Sequence, residues 1–390
     1  MGALGQGPHE STNEVLACVA LGDYMLRAAL IGFPSSGKTT LFQLMTNVRE
    51  GPHHASRTKT DANVGVSRVP DARLDRLTAM YNPRKRVPAT VEFADTATAA
   101  GGTQALTDVA AYRNADALVH LVRAFRDPAV PIAAGSLDAA RDAQRMEDEL
   151  ILTDLGIAEK RIERLAKDLK KMRNPELEHE HDVLLRCRGS LEQGEPLRAL
   201  ALGPDDLRRL RGFQFLSAKP LLLVVNLDET DLTAEGAKAL SEAPARAGLE
   251  AFLSRAATRA VAACAKIELE IAQLDPGDAS AFLTDLGLTE SGLDRVIRAS
   301  YDLLGYISFF TVGEDECRAW SIPRGTAAQL AAVEIHSDIA RGFIRAEVVS
   351  YDALISRGSL PACRDHGDLR LEGKEYVVQD GDVINFRFAT

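Results

Sequence analysis

Nothing in this 390-residue sequence offers a membrane span, since no apolar run approaches the roughly 20 residues that a helix needs to cross a bilayer. Cysteine is scarce and scattered. Cys18, Cys187, Cys264, Cys317 and Cys363 stand singly, so no zinc spacing and no disulfide framework can be drawn, and the pattern fits a reducing cytosol. A secretory leader is not expected either, since residues 1–24 have no basic n-region and carry acids. They read as a disordered extension or a mis-assigned start, and no function is given to them. Net positive charge is also absent. A formal charge of -10 argues against bulk attraction to nucleic acid, although a local basic patch is compatible with it. DNA and membranes are therefore not expected partners. What remains is an ordinary soluble globular composition, 46% hydrophobic and 26% charged, long enough for two or three cores.

Apolar strands recur along the first three quarters of the chain. "RAALIG" (27–32), "VEFA" (91–94), "DALVHLVRA" (116–124), "PLLLVVN" (220–226) and "RAVAACA" (259–265) are separated by helical segments, the alternation of an open, mostly parallel α/β sheet. Met25 would open the first strand. Between Ala124 and Pro220 lie about 95 residues, far more than the dozen a crossover requires. In that gap Ile151, Leu155, Ala158, Ile162, Leu165, Leu169 and Met172 step by fours and threes, which is a heptad seam. Pro175 disfavours helical geometry at Asn174 and stops this helix, and "ELEHEHDVLLRCRGSLEQG" returns as a second. The spacing predicts an inserted antiparallel helical pair, with helices packed flat on the sheet as the alternative. From about residue 305 the texture changes to short strands: "FIRAEVVSY", "LRLEG", "KEYVVQ" and "DVINFRF", with Asp380-Gly381 as a tight hairpin turn.

Three stretches carry chemistry. "GFPSSGKTT" (32–40) has Gly32, Gly37, Lys38 and Thr39 at phosphate-loop spacing, between a strand and a helix. Gly37 lets the backbone turn its amides toward oxygen, the helix N-terminus adds its dipole, Lys38 neutralises β and γ phosphates, and the Thr39 hydroxyl ligates magnesium. Asp95, ending the strand "VEFA", is the matching magnesium carboxylate, either touching the metal or one water removed from it; without the upstream loop it would read as a helix cap or turn residue. "VVNLDE" (224–229) stands where guanine-binding proteins carry Asn-Lys-x-Asp, with Leu227 for the lysine and Glu229 for the aspartate. A longer carboxylate cannot take the aspartate's place, whereas Asn226 can pair with the N6 and N7 edge of adenine, so ATP is expected over GTP. "CAK" places Cys264, Ala265 and Lys266 near the base.

With its motifs in this order, the chain from Met25 to Thr390 resembles the YchF/Obg-like ATPase family, a branch of the translation-factor-related P-loop GTPases. The resemblance is carried by "NVGVSRVPDARLDRL" (63–77), "RVPATVEFADTA" (86–97), "SAKPLLLVVNLDE" (217–229), "CAKIELEIAQLD" (264–275), the C-terminal "ESGLDRVIRASYDLLGYISFFTVGEDECRAWSI" and "IHSDIARGFIRAEVVSYDALI", and "LRLEGKEYVVQDGDVINFRF". It implies an α/β fold, a P-loop NTPase with a doubly wound, mostly parallel sheet, an inserted antiparallel helical hairpin and a C-terminal ubiquitin-like β-grasp (TGS) domain. It also implies ATP preference, magnesium dependence and a ribosomal partner, the large subunit or its RNA. The division expected is 1–24 as the extension, 25–132 with 206–304 as the nucleotide-binding domain, 133–205 as the hairpin and 305–390 as TGS. Nucleotide contacts fall on Ser35, Ser36, Gly37, Lys38, Thr39, Thr40, Asn226, Leu227, Glu229, Cys264, Ala265 and Lys266, with Lys38 also catalytic. Thr39, Thr60 and Asp95 would hold the metal. A cytoplasmic monomer is expected.

The chain departs from the family in three places. The family's Asp-Ile-Ala-Gly reads "DTAT", so Thr98 replaces the glycine whose amide meets the γ-phosphate, and the segment that follows is shortened. Threonine disfavours positive φ and crowds the phosphate, which predicts slow or absent hydrolysis resting on the phosphate loop and magnesium. In the first switch the spacing before "NVGV" leaves Thr60 or Thr58 as the magnesium ligand, Thr60 being preferred. Ser35 and Ser36 replace the usual Asn-Val and are small enough to keep the cradle. Two functions follow: a slow ATPase, with GTP the lesser substrate, that changes its grip on a ribosomal partner, or a nucleotide-binding module that no longer switches. The basic run "NPRKRVP" (82–88) reads as an RNA contact or as a solvated hairpin tip.

Overall fold

The computed structural model describes residues 26–46, 63–95, 110–132 and 135–389. Met25, Thr58, Thr60, Thr98 and Cys18 lie outside them. The described chain forms two compact units, one of residues 26–67 with 91–304 and one of 68–90 with 305–389. The sequence reading put residues 68–90 with the nucleotide-binding domain; the structure joins them to the C-terminal segment.

The larger unit is built on strands β1 (Arg27–Ile31), β2 (Asn63–Arg68), β4 (Thr90–Asp95), β5 (Ala117–Arg123), β6 (Leu221–Asn226) and β7 (Thr258–Ala263), ordered β2-β4-β1-β5-β6-β7. Its β4-β1-β5-β6-β7 pairings are all parallel. Every residue of β5 and β6 is buried, as central strands covered on both faces require. The chain winds outward from β1 in both directions, so the ligand crevice falls at the carboxyl end of β1. There the backbone turns directly into helix α1 (Lys38–Thr46).

The insertion consists of α2 (Ala139–Leu169) and α3 (Pro175–Glu192), and the two alternatives weighed above are both present in part. Ala143, Met146 and Leu150 of α2 pack into the sheet core, whereas Ile151, Ala158, Ile162 and Leu165 form a separate core with Val183, Leu184, Cys187 and Leu191 of α3. The seam ends earlier than its spacing suggested: α2 stops at Leu169 and Met172 is 64% exposed. Asn174 has the extended backbone that precedes proline and caps α3 through its side chain. At the root of the pair, buried Asp154 accepts from the Leu216 and Ser217 amides (2.9 and 2.7 Å), and buried Glu147 pairs with Arg198.

The smaller unit is a mixed sheet of β3 (Lys85–Val87), β8 (Tyr306–Thr311), β9 (Glu316–Pro323), β10 (Phe343–Ser350), β11 (Arg370–Glu372) and β12 (Asp382–Phe388), ordered β11-β10-β12-β8-β9-β3. Antiparallel pairs β8-β9 and β10-β12 meet at a parallel β12-β8 contact, the β-grasp arrangement, over a core that includes Phe309, Ala331 and Phe386. "KEYVVQ" is not a strand: among its residues only Val377 bridges, to Ala327. Asp380-Gly381 does make a turn, yet it leads into β12 without a hairpin partner, and the Asp380 carboxylate accepts from Ser308 N (3.0 Å) and Arg73 Nη1 (2.9 Å). The basic run contributes β3, paired in parallel with β9. Arg84, Lys85 and Arg86 each meet an acid, at Asp315 (3.2 Å), Glu316 (3.4 Å) and Asp75 (2.6 Å), so it is neither a hairpin tip nor an uncompensated basic patch.

Candidate functional site

The loop between β1 and α1 closes around glycine. Gly37 has φ +94°, and a Cβ there would lie 2.4 Å from Asn226 Nδ2, so only glycine permits this approach. Ser35 takes the left-handed region at φ 65°, unusual for a residue with a side chain. Lys38 is 6% exposed, and burial lowers its pKa while the Asp95 charge opposes the shift. Thr39 Oγ1 donates to Asp95 Oδ2 at 3.1 Å, which brings together two hard oxygen donors from α1 and β4. Beneath the loop, His120 of β5 is 1% exposed and stays neutral, its pKa pushed down to about 3 by burial and by Lys38.

Asn226 is placed differently from the adenine-pairing reading. Its Nδ2 donates to the Ser36 carbonyl (3.0 Å) and its Oδ1 accepts from the Ala265 amide (3.0 Å), with 4% of the residue exposed. Both ends of the amide are engaged by the protein, so the side chain ties the phosphate loop to the loop after β7, with one N–H and one lone pair left over. Glu229 and Lys266 form an ion pair at the mouth, and that contact raises the lysine's pKa.

Ser35, Gly37, Asn226, Glu229 and Lys266 border one cavity of about 520 Å³, a size suited to a nucleotide-scale ligand. Ser35, Gly37 and Thr40 line its phosphate-loop end, and Leu227, Glu229, Ala265 and Lys266 its far end. Ser36, Lys38, Thr39, Asp95 and Cys264 do not line it: Ser36, Lys38 and Asp95 are buried, and the Cys264 thiol is buried at the start of helix Ala265–Ile271, its pKa raised by burial. Thr60 lies outside the described residues. The sequence reading missed the opposite wall, made by Phe125, Arg126, Asp127, Pro128 and Val130. One signal was available, since "FRDP" directly follows a strand whose carboxyl end faces the crevice. Asp228 was also overlooked; its Oδ2 accepts from Arg126 N at 2.9 Å.

Among the described residues no cluster of three His, Cys, Asp or Glu could cage a metal. The Thr39 hydroxyl and Asp95 carboxylate nevertheless suit magnesium, which takes a few protein oxygens and completes its shell with phosphates and water. No helix among the described residues is long and apolar enough to cross a membrane.

The chain is similar over nearly its whole length to known proteins. A family model, YchF-GTPase_C, described as a protein of unknown function (DUF933), matches residues 306–389. A Bacillus subtilis (strain 168) protein named Ribosome-binding ATPase YchF is 38% identical over 368 residues, covering 93% of this chain and 99% of that one. Its namesake from Escherichia coli O157:H7 is 34% identical over 370 residues with the same coverage. Among solved structures, the Schizosaccharomyces pombe YchF GTPase superposes with a TM-score of 0.79 at 27% identity, covering 94% of this chain and 98% of its own.

Proposed function

Since this chain belongs to the YchF family, we propose that it is a magnesium-dependent ATP-binding switch that hydrolyses ATP slowly and works on the ribosome as a cytoplasmic monomer. The observation that carries the reading is the Thr39–Asp95 contact at 3.1 Å, beside a cavity that runs from the phosphate loop to the loop after β6. With the loop amides lining that cavity and Lys38 beside it, these groups would hold the triphosphate, and Thr39 with Asp95 would hold the metal. Magnesium, when bound, neutralises charge on the β and γ oxygens. Hydrolysis forms a bond from a water oxygen to the γ-phosphorus and breaks the bond to the bridging oxygen, releasing ADP and phosphate; the buried Lys38 cation stabilises the charge that develops.

Preference for ATP rests on Glu229 rather than on Asn226. Its carboxylate is held by Lys266, so it is not a free double acceptor for the guanine edge. Ribosome association is supported by the names that the bacterial relatives carry. Titration of labelled ATP and GTP tests the first point, with tighter ATP expected and equal affinity overturning it. Co-sedimentation with ribosomes under ATP, ADP and no nucleotide tests the second, and sedimentation indifferent to nucleotide would remove the switch. Lys38→Ala should abolish nucleotide binding while the melting curve stays cooperative.

One sequence feature favours a second reading, nucleotide binding without turnover: Thr98 stands where the family's γ-phosphate glycine falls. A phosphate-release assay on the chain and on Thr98→Gly separates the two. Slow but measurable release that rises in Thr98→Gly supports the ATPase; no release from either supports the binding module.

A further inference from the structure

The wall facing the Leu227 side of the cavity is a loop with little beneath it. It leaves the sheet at Arg123, the last residue of β5, and Phe125, Arg126, Asp127, Pro128 and Val130 face the cavity. Among the described residues, none of 125–131 joins a hydrophobic core cluster, and the packing at the two ends of the loop is open. Cavities of about 390 and 110 Å³ both reach Arg123, the first bordering Ala124 and the second Ile132, near the two ends of the loop. A segment without a packed floor takes its position from hydrogen bonds.

Arg123 supplies three of them, beside the local turn in which the Asp127 side chain and carbonyl accept from Ala129 and Val130. Its Nε donates to the Phe125 carbonyl (3.2 Å), Nη1 to Pro131 (2.9 Å) and Nη2 to Val130 (3.0 Å), so one guanidinium gathers both ends of the loop. The guanidinium carbon also lies 4.5 Å from the centre of the Phe125 ring. The residue is 6% exposed, and among the described residues no carboxylate pairs with it, so the three carbonyls are what hold its charge. A planar fork can satisfy three acceptors at fixed angles; a lysine ammonium on a flexible stem cannot hold the same three. The second tie is the Arg126 amide to Asp228 Oδ2 at 2.9 Å, from the opposite wall.

We propose that Arg123 is a positioning residue for nucleoside recognition: it holds the 125–131 loop as a preformed wall against the nucleoside half of the ligand and leaves the phosphate half untouched. The inference rests on the reading that this cavity takes a nucleoside triphosphate. Its signature is a split between nucleoside and phosphate affinity. Losing the guanidinium lets the wall move, so nucleoside contacts must be ordered anew on each binding event, while the phosphate loop, tied through Asn226, is unchanged.

The test measures the affinity of ATP and of inorganic tripolyphosphate, both with magnesium, on the full chain and on Arg123→Lys and Asp228→Ala. Arg123→Lys should weaken ATP by about tenfold or more, the order expected when a preorganised wall is loosened, with tripolyphosphate within about twofold of the parent. Asp228→Ala should shift the same ratio in the same direction, and it carries the test alone if Arg123→Lys does not fold. Parallel losses for the two ligands, or no loss of ATP, would overturn the proposal. If the parent chain binds neither ligand, the nucleotide reading fails first, which is a distinct result.

Discussion

Asn226 Nδ2 reaches across 190 residues of sequence to the Ser36 carbonyl at 3.0 Å, while its Oδ1 takes the Ala265 amide. A single buried amide therefore clamps the phosphate loop and the loop after β7 to the end of β6. Asn226→Ala leaves a buried carbonyl and a buried amide unpaired, at a cost of about 1–3 kcal/mol for each. Affinity for ATP and GTP should then fall together, with their ratio unchanged, in a titration of labelled nucleotides. A loss confined to ATP would mean that Asn226 reads the base after all.

Asp95 offers a sharper probe of the metal. Asp95→Asn keeps an oxygen to accept from Thr39 but removes the charge that a divalent cation needs. ATP affinity with magnesium present should fall by about tenfold or more, whereas the curves with chelator should coincide, since only the metal-dependent part of binding is lost. An equal loss in chelator would assign Asp95 to the loop's structure instead.

The phosphate loop could be read from sequence because its chemistry is local: Gly37, Lys38 and Thr39 act through backbone geometry that adjacent residues dictate. Strands β5 and β6 were legible for the same reason, as largely apolar runs buried on both faces. Strand β2 escaped notice as a strand because its alternation is inverted. Val64 and Val66 point outward at 49% and 45% exposure, while Gly65 faces Thr46 and Ser67 donates to the Met45 carbonyl. Strand β3 had no local signal at all: "KRV" becomes a strand only because β9, some 230 residues later, offers a parallel edge and acids to match. "KEYVVQ" failed in the opposite sense. Its β-propensity yields to a turn at 374–375 closed by the Tyr376 amide on the Gly373 carbonyl (3.3 Å), with the Tyr376 hydroxyl donating to Asp382 Oδ2 at 2.7 Å. The cavity wall at 125–131 depends on one arginine meeting three carbonyls, and no residue pattern announces that.

Ser35 holds a left-handed backbone that costs an ordinary residue about 1–2 kcal/mol. Asparagine tolerates this region, so Ser35→Asn should stabilise the nucleotide-free protein by about 0.5–1 kcal/mol in urea unfolding. Ser35→Val, with a branch at Cβ, should lower stability instead. The two variants moving in the same direction would show that something other than φ sets the effect.

Glu268 gives stability a pH dependence with a definite sign. Its Oε1 accepts from the Gly292 amide at 2.6 Å, Oε2 is buried with no hydrogen-bond partner among the described residues, and the residue is 3% exposed. Gly292 has no alternative, since a Cβ there would lie 2.8 Å from Oε1 and 2.9 Å from Ala263 Cβ. Burial, with the Asp294 charge in support, pushes the carboxyl up to about 7 against the backbone amides and Arg295. The folded protein therefore keeps a proton that the unfolded chain releases near pH 4.5, and this group's contribution to stability declines as pH rises through the window between those values. Glu268→Gln retains the acceptor for Gly292 and cannot ionise. Near pH 5 the variant and parent should unfold at similar urea concentrations. By pH 8 the variant should be the more stable, by on the order of 1–3 kcal/mol. Unfolding curves that stay parallel from pH 5 to pH 8 would show that Glu268 is already ionised in the folded state, and that the amides of Gly292 and Leu293 outweigh its burial.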